Sequence, residues 1–328
     1  MMSSKKKKNK IDQFIPLEDL VPKNNKSRKK KIARYVILFF ALLICFIIEY
    51  SDNSKNWNHI SKVVTVNQNV IEEAGKFYLH FIDVGQAECE LMKCNEDTVL
   101  VDTGDVDSFE TITSYLDSQN VKELDYLIIT HMHSDHMGSA KEVIEKYKPE
   151  NIIMTRLTES ATPTTELYTE LLEVLSKCDS KIIAAKPGDR YDLDSFSFVI
   201  LAPNKNYDEL NNTSVVIKAY FGDTTYLLQG DAERESEKDI LSNGFDVNAD
   251  VLKLGHHGSK TSTCSDYLDA VKPQVAVVNC GKGNKYNHPN NETLEKLESR
   301  GIPCFRTDKN GNIVIKSDGK VISVITER

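Results

Sequence analysis

The chain has 328 residues, 40% of them hydrophobic, so its length allows one large domain or two small ones and its composition supplies a sizeable core. Its seven cysteines show neither CxxC spacing nor the density of a small disulfide-stapled scaffold, which excludes that class of fold. Residues 1–34 carry twelve Lys and Arg against three Asp and Glu, a net charge of +9, and residues 35–328 carry 29 against 46, a net of −17. The acidic charge of residues 35–328 argues against a protein whose whole surface binds nucleic acid.

The N-terminal region has the composition of a tail followed by a membrane anchor. Residues 1–31 are rich in Lys and Asn, which predicts a disordered basic tail. The apolar run that follows, interrupted only by Arg34, predicts a transmembrane helix at 32–50, at the short end of what a span requires. Because the flanking charge is basic before this run and acidic after it, we expect a single-pass protein of the cell membrane with a cytoplasmic N-terminus and an extracellular body. A cleaved signal peptide is the alternative, but no small-x-small site follows the run.

A dense alternation of strand and helix patterns runs from residue 76 to 328, after a polar, Asn-rich stretch at 51–75 that we interpret as a stalk. Runs of β-branched and apolar residues predict strands at 77–84, 98–102, 127–130, 197–201, 214–220, 225–228, 251–254 and 275–279. Amphipathic spacing predicts helices at 108–118, 164–177, 233–242, 265–271 and 290–300. Each half of this pattern predicts a sheet with helices on its outer face. Two such halves facing each other form a four-layer αβ/βα sandwich, with a site where the strand ends meet.

The stretch His131-Met-His133-Ser-Asp135-His136 places three histidines and a carboxylate on the loop between a predicted strand and a predicted helix. Imidazole and carboxylate are the usual ligands of zinc and its first-row neighbours. His131 and His133 can therefore bind one metal ion, and Asp135 and His136 a second ion beside it. A polar loop with solvated histidines is the alternative. Three histidines in this pattern, with further ligand-type residues downstream, favour a metal site.

The same stretch resembles the signature of the metallo-β-lactamase superfamily. Four further stretches narrow the resemblance to the C-terminal hydrolase domain of the ComEC competence proteins and its free-standing relatives: Asp83-Val-Gly-Gln86, Gln229-Gly-Asp231, Gly255-His-His-Gly-Ser-Lys-Thr-Ser262 and Tyr286-Asn-His-Pro289. The resemblance covers about residues 76–325 and implies an α/β sandwich with one or two metal ions at its edge. Since the sequence lacks the many membrane helices of a competence DNA channel, it resembles the hydrolase module alone, tethered by one helix.

The resemblance implies a role for each matching residue. His131 and His133 would hold the first ion, and Asp135, His136 and His256 the second, with Asp231 between the two. His256 is favoured over His257, which would contact substrate or support a ligand. A water bridging the ions would lose its proton near neutral pH and attack the substrate, with Asp135 orienting it.

Four other residues have expected supporting roles. His288 would donate a proton to the leaving group or bind a phosphate, with an ordinary surface-loop histidine as the alternative. Asp102 would hold a histidine ligand through a hydrogen bond. Asp83 and Ser259 would support a ligand or contact substrate, and for Ser259 helix capping is the competing explanation.

Two departures from the family pattern bear on the metal and the substrate. The strand end at Leu201-Ala-Pro203 has no histidine where many members of the superfamily place a third one. The first ion would then have only His131, His133 and the carboxylate between the ions, which predicts either weaker binding or a harder ion such as Mn²⁺. Asn212 and Ser214, just beyond, are expected to line the site without binding metal. Glu88 stands where relatives have aspartate, after Ala87 in place of glycine. This second departure puts substrate contacts at the loop in doubt, but not the metal ligands.

The function we expect from these observations is a membrane-anchored, metal-dependent hydrolase with two divalent ions, Zn²⁺ or Mn²⁺, that cleaves phosphodiesters. Nucleic acid is the favoured substrate by resemblance, although the acidic body counts against it. One alternative is a hydrolase of small esters, lactones or β-lactams, and another is a binding protein with a degenerate site. A basic groove or a closed apolar pocket at the site would separate the first two. No obligate protein partner is evident, and the Lys-, Asn- and Ile-rich composition is typical of an AT-rich bacterial genome.

Overall fold

The computed structural model describes residues 60–65 and 72–328. The predicted tail and the predicted transmembrane helix at 32–50 lie outside these residues. Within the described part of the chain, no helix is both long and apolar enough to cross a membrane.

The described residues form sixteen strands and eight α-helices. The strands are β1 (Ile60–Thr65), β2 (Phe77–Phe81), β3 (Glu90–Cys94), β4 (Asp97–Val101), β5 (Tyr126–Ile129), β6 (Asn151–Met154), β7 (Lys181–Ala184), β8 (Arg190–Asp192), β9 (Ser197–Ala202), β10 (Val216–Phe221), β11 (Thr224–Leu228), β12 (Val251–Lys253), β13 (Val275–Val278), β14 (Cys304–Arg306), β15 (Ile313–Ser317) and β16 (Ile322–Thr326). The helices are α1 (Phe109–Ser118), α2 (Ser134–Met137), α3 (Ala140–Tyr147), α4 (Glu166–Leu175), α5 (Arg234–Ser242), α6 (Ser265–Val271), α7 (Asn291–Glu298) and α8 (Thr307–Asn310). Two 3-10 helices, Leu210–Thr213 and Gly255–Gly258, complete the described elements.

The strands form two sheets. One has nine strands in the order β1-β16-β15-β2-β3-β4-β5-β6-β7, and the other has seven in the order β14-β13-β12-β11-β10-β9-β8. Strands β4 to β7 run parallel in the first sheet, and β11 to β14 run parallel in the second. Because the carboxyl ends of parallel strands meet at one edge of a sheet, the loops after β4 and β5 gather at one edge, and those after β11, β12 and β13 at another.

A continuous apolar core fills the space between the two sheets. Phe77 of the nine-stranded sheet lies with its ring centroid 4.7 Å from that of Tyr226 in the seven-stranded sheet, and 5.1 Å from that of Phe196. Helices α1, α3 and α4 bury residues such as Leu116 and Ile144 on the outside of the first sheet. Helices α5, α6 and α7 cover the other sheet in the same way. The predicted four-layer α/β sandwich is confirmed.

The first strand of the nine-stranded sheet comes earlier in the chain than residue 76, where we expected the domain to begin. Residues 60–65 lie in the stretch that we interpreted as a stalk, but they form β1, which pairs in parallel with β16. Glu72 also contacts the sheet, through His80 and Lys93 of β2 and β3. The prediction missed this strand because its single β-branched run is short and surrounded by polar residues. The sheet therefore begins before residue 76.

Candidate metal centre

The loop that carries the three histidines is fixed by backbone hydrogen bonds to its neighbours. The carbonyl oxygens of Asp135 and His136 accept from the amides of Glu88 and Thr103, at 3.0 and 2.7 Å. Gly138, directly after α2, packs so closely that a Cβ there would lie 2.3 Å from a backbone carbon of Asp105. A glycine is required at this point. The helix predicted at 137–147 corresponds to α3, and the short helix α2 lies mostly in the stretch predicted as a loop. The loop before β3 and the loops after β4 and β5 are thus held together as one unit.

Four buried side chains from both sheets meet beside this loop. One donor atom each from Glu88, His136, Asp231 and His257 lies within 4.8 Å of the others. Nε2 of His136, Oδ1 of Asp231, Nε2 of His257 and Oε1 of Glu88 are buried, and none has a hydrogen-bond partner among the described residues. Buried polar atoms without partners are costly, and a cation at their centre would satisfy them together. The residues present therefore fit a divalent ion.

Two of these histidines are held in the tautomer that a metal ligand needs. Nδ1 of His136 lies 2.6 Å from Oδ2 of Asp102, which also accepts a hydrogen bond from the Thr130 hydroxyl. Nδ1 of His257 lies 2.9 Å from the carbonyl oxygen of Asn279, to which it donates. With a cation bound, each ring would keep its proton on Nδ1 and present the lone pair of Nε2 to the group. Asp102 therefore lies where the sequence placed it, behind a histidine.

The structure distinguishes His256 from His257. Nε2 of His257 lies 3.4 Å from Oδ2 of Asp135 and 3.8 Å from Oδ1 of Asp231, deep in the group. His256, which the sequence favoured as the ligand, is partly exposed, with Nδ1 3.0 Å from Glu233 and Nε2 3.7 Å from Asp231. Both residues have positive φ, 49° and 50°, and this left-handed turn decides which ring points inward. The geometry thus gives His257 the place expected for His256.

A second pair of histidines adjoins the buried group. Nε2 of His131 lies 2.9 Å from Nδ1 of His133, and the His131 and His136 ring centroids are 4.1 Å apart. The hydroxyl of Ser214 lies 3.4 Å from Nδ1 of His131 and accepts from the amide of Asp231. Ser214 therefore lines the site as expected and ties the two halves of the centre together.

The charges of the group favour a cation. Burial opposes ionisation of Asp231, but the adjacent His136 and His257 outweigh it and hold its pKa well below the usual range. Burial also opposes protonation of His136, yet Asp231 and Asp102 raise its pKa well above the usual range. Burial lowers the pKa of His131 well below its normal value. The carboxylates favour protonated His136 and His257 when no metal is bound. A metal ion would displace those protons, so metal binding would release protons.

Sequence reasoning missed a buried charge cluster behind the centre. Nζ of Lys253 contacts Oε2 of Glu88 and donates to the carbonyl of Gly230 at 3.0 Å. Glu90 lies nearby, fully buried, and burial together with Glu88 raises its pKa well above the usual value. The available signal was a lysine inside the apolar run Val251–Leu254, because a buried ammonium requires an anionic partner.

A cavity of about 290 Å³ opens over the metal group. Its walls include His133, Asp135, Asp231 and His257, and its mouth is formed by Gln86, His256, Tyr286 and His288. Burial, then the charges of His256 and His257, lower the pKa of His288 to about 4. His288 is therefore neutral near pH 7, and its N–H can donate a hydrogen bond to a substrate but holds no extra proton to transfer. Tyr286 is 53% exposed, and its ring is stacked on that of His288.

Two predicted residues lie away from this cavity. The carboxylate of Asp83 pairs with Arg328 at 2.6 Å, and the backbone amide of Asp83 donates to Oδ1 of Asn312. The hydroxyl of Ser259 lies 2.9 Å from that of Thr261, within its own loop. Ser259 does not cap α6, which begins six residues later with Cys264 before it. Neither side chain is among those that line the cavity.

A family model described as "Metallo-beta-lactamase superfamily" matches residues 83–282. The chain belongs to this superfamily. Its metallo-β-lactamase domain is similar to ComE operon protein 3 of Bacillus subtilis, with 29% identity over 259 residues, 73% of this chain and 33% of that protein. It is also similar to Competence protein ComA of Neisseria gonorrhoeae, with 30% identity over 236 residues, 70% of this chain and 30% of that protein. The chain thus spans about a third of the length of the curated relatives it matches.

The structure of a CmlA beta-hydroxylase E377D mutant shares the fold, with a TM-score of 0.50, 13% identity, and coverage of 75% of this chain and 55% of that chain. At this identity the likeness concerns the fold alone. The predicted family, a metallo-β-lactamase superfamily protein related to competence proteins, is confirmed. The chain is accordingly a metal-dependent hydrolase of this fold, and the fold with its candidate ligands implies divalent ions.

Proposed function

We propose that this domain is a phosphodiesterase that cleaves nucleic acid. The observation that carries the proposal is the lining of the cavity over the metal group, which consists of polar side chains and one exposed tyrosine, with no aliphatic side chain. Pockets for small apolar esters, lactones or β-lactams are lined mainly by hydrophobic groups. The names of similar proteins support the same substrate, since one is called Recombination protein 2, of Haemophilus influenzae, and another Competence protein ComA.

We propose that two divalent ions, Zn²⁺ or Mn²⁺, bind here. His131 and His133 would hold one ion, and Asp135, His136 and His257 the other, with Asp231 between them. When bound, such ions supply Lewis acidity to the phosphoryl oxygens and lower the pKa of a coordinated water. The absence of a histidine at Leu201–Pro203 leaves the first site with fewer nitrogen ligands, which favours a harder ion there.

The protein's own side chains would position the substrate. Burial opposes the charge of Asp135, but the adjacent His257 outweighs it and holds the pKa of Asp135 well below its usual range, so this carboxylate stays ionised near neutral pH and would be available to bind an ion and orient a water. The neutral ring of His288 would donate a hydrogen bond to a phosphate oxygen at the cavity mouth. The exposed ring of Tyr286 offers a flat surface on which a base can stack.

The test of this function uses the full chain, stripped of metal and reloaded with Mn²⁺ or Zn²⁺. We expect cleavage of labelled single-stranded DNA and of bis(p-nitrophenyl) phosphate. His133→Ala should reduce both rates about 100-fold or more, because even residues that only orient a ligand change metal affinity or activity by about 10- to 100-fold. The chelated wild-type protein is the control for metal dependence.

Two outcomes would contradict the proposal. Hydrolysis of a lactone or a chromogenic β-lactam, with neither diester cleaved, would establish the small-ester alternative. Failure to bind either metal at stoichiometric amounts would favour a binding protein with a degenerate site.

We also propose that residues 32–50 anchor the chain in the cell membrane, with residues 1–31 in the cytoplasm, 51–59 as what remains of the stalk, and the hydrolase domain outside. Support comes from the apolar run and its basic flank. In cells, we expect the full chain to remain in the membrane pellet after carbonate extraction and a variant lacking residues 32–50 to be released. Protease added to intact cells should degrade the domain. Protection of the domain from that protease would reverse the orientation.

A further inference from the structure

A second cavity, of about 720 Å³, is lined by five basic side chains: Arg234, Lys238, Lys260, Lys296 and Arg300. They come from α5, from the loop after the 3-10 helix Gly255–Gly258, and from the end of α7 and the residues after it. Three carboxylates, Asp266, Glu292 and Glu295, share the lining, so the basic groups are in excess. This excess contrasts with the net charge of −17 for residues 35–328.

Three of these cations have no carboxylate partner. Arg234, Lys238 and Lys260 are exposed, and within residues 72–328 none of them forms an ion pair. By contrast, Arg300 pairs with Asp269 at 2.7 Å, and Lys296 donates to the carbonyl of Thr263 at 2.7 Å. The first three charges are therefore available to a ligand.

The unpaired cations are close to the metal centre along the chain. Arg234 comes three residues after Asp231, and Lys260 three residues after His257, which limits each separation to about 11 Å between Cα atoms. The two loops are joined, since the amide of Arg234 donates to the carbonyl of Thr261 at 3.0 Å. Glu233 further connects them by accepting from the Thr261 hydroxyl at 2.7 Å. Arg234 and Lys260 of the basic cavity therefore stand on the same two joined segments as Asp231 and His257 of the metal centre, although no residue lines both cavities.

We propose that this cavity is a binding subsite for the phosphates of a single nucleic-acid strand, next to the bond that is cleaved. Arg234 and Lys238 are four residues apart on α5 and thus lie on one face of the helix, while Lys260 faces them from the opposite loop. Arginine and lysine are the residues that bind phosphate oxygens, arginine often through two hydrogen bonds. A single strand fits better than a duplex because the acidic surface elsewhere repels a second phosphate backbone.

The subsite rests on the proposed phosphodiesterase function, and its test separates the two. The metal-loaded full chain is compared with a Lys238→Gln/Lys260→Gln double variant on a single-stranded oligonucleotide and on bis(p-nitrophenyl) phosphate, which is too small to reach the cavity. We expect KM for the oligonucleotide to rise about tenfold, with kcat and the small-diester rate unchanged. The dependence of log affinity on log salt should become shallower by about 1.4, since each phosphate contact on a single strand contributes about 0.7.

The matched control is Lys146→Gln/Lys177→Gln, which removes the same charge from α3 and from the turn after α4, on the other sheet. Oligonucleotide binding by chelated protein, followed by fluorescence anisotropy, gives a readout independent of turnover. An equal loss in the control variant, or an unchanged KM in the test variant, would overturn the subsite while leaving the phosphodiesterase in place. If wild type cleaves neither substrate but its oligonucleotide binding depends on Lys238 and Lys260, the subsite stands and the proposed reaction fails.

Discussion

Replacement of His257 by alanine is expected to abolish hydrolysis and to remove one bound metal ion, whereas His256→Ala retains both ions. Nε2 of His257 lies 3.4 Å from Asp135 and 3.8 Å from Asp231, inside the buried group. His256 is at the cavity mouth, paired through Nδ1 with Glu233 at 3.0 Å. Losing a direct ligand should weaken the second ion about 100-fold or more, since losing a residue that only orients a ligand already costs about 10- to 100-fold.

The measurement is the number of ions bound per chain at equilibrium, together with calorimetric titration of each variant with Mn²⁺ and Zn²⁺. His256→Ala serves as the matched control because it removes the adjacent imidazole from the same left-handed turn. We expect this control to change mainly KM. The assignment is wrong if His256→Ala loses an ion and His257→Ala keeps both.

Replacement of Lys253 by methionine is expected to destabilise the fold by about 3–5 kcal/mol at pH 8, the usual cost of leaving one member of a buried ion pair alone. Both side chains of the Lys253–Glu88 pair are fully buried. Burial already raises the pKa of Glu88, and Lys253 opposes that rise. Without the lysine, the pKa of Glu88 in the folded state moves further above its unfolded value, so the folded state binds more protons and stability falls as pH rises.

The prediction is therefore a loss of stability that is smaller at pH 5.5 than at pH 8, measured by denaturant unfolding of chelated protein. Adding Glu88→Gln to the methionine variant removes the unpaired charge and should recover most of the loss at pH 8. A destabilisation equal at both pH values, and unchanged by Glu88→Gln, would mean that the lysine contributes through packing alone.

The sequence predicted the fold because the fold depends on local patterns. Alternating apolar runs and amphipathic helices specify which face of each element is buried, and this was enough for the four layers. The histidine motif follows the predicted strand and precedes the predicted helix, and the structure has it at that strand end, with Ser134–His136 in the short helix α2. The hydrogen bond between His136 and Asp102 could be expected because a metal-binding histidine usually has a hydrogen-bond partner for its second nitrogen.

The rest of the site depends on contacts that sequence spacing does not reveal. Lys253 lies at the end of β12 and Glu88 in the loop between β2 and β3, 165 positions apart, and the two do not stand in a common motif. Asp83 belonged to a motif, yet it pairs with Arg328, 245 positions away. The choice between His256 and His257 depends on two consecutive residues with positive φ, a backbone conformation that is uncommon for residues other than glycine and that the motif itself does not reveal.

The centre takes its histidine motif from the nine-stranded sheet and Asp231 and His257 from the seven-stranded one. A metal ion there would act as a removable cross-link between the two halves of the sandwich, in the way that a disulfide joins distant segments. Neither half alone offers a complete set of ligands, so the ion binds only when both are folded and docked. A free metal concentration of 100 times the dissociation constant would then add about 2.7 kcal/mol to the free energy of unfolding. The supply of free metal would thereby govern how long the folded domain persists, independently of any substrate.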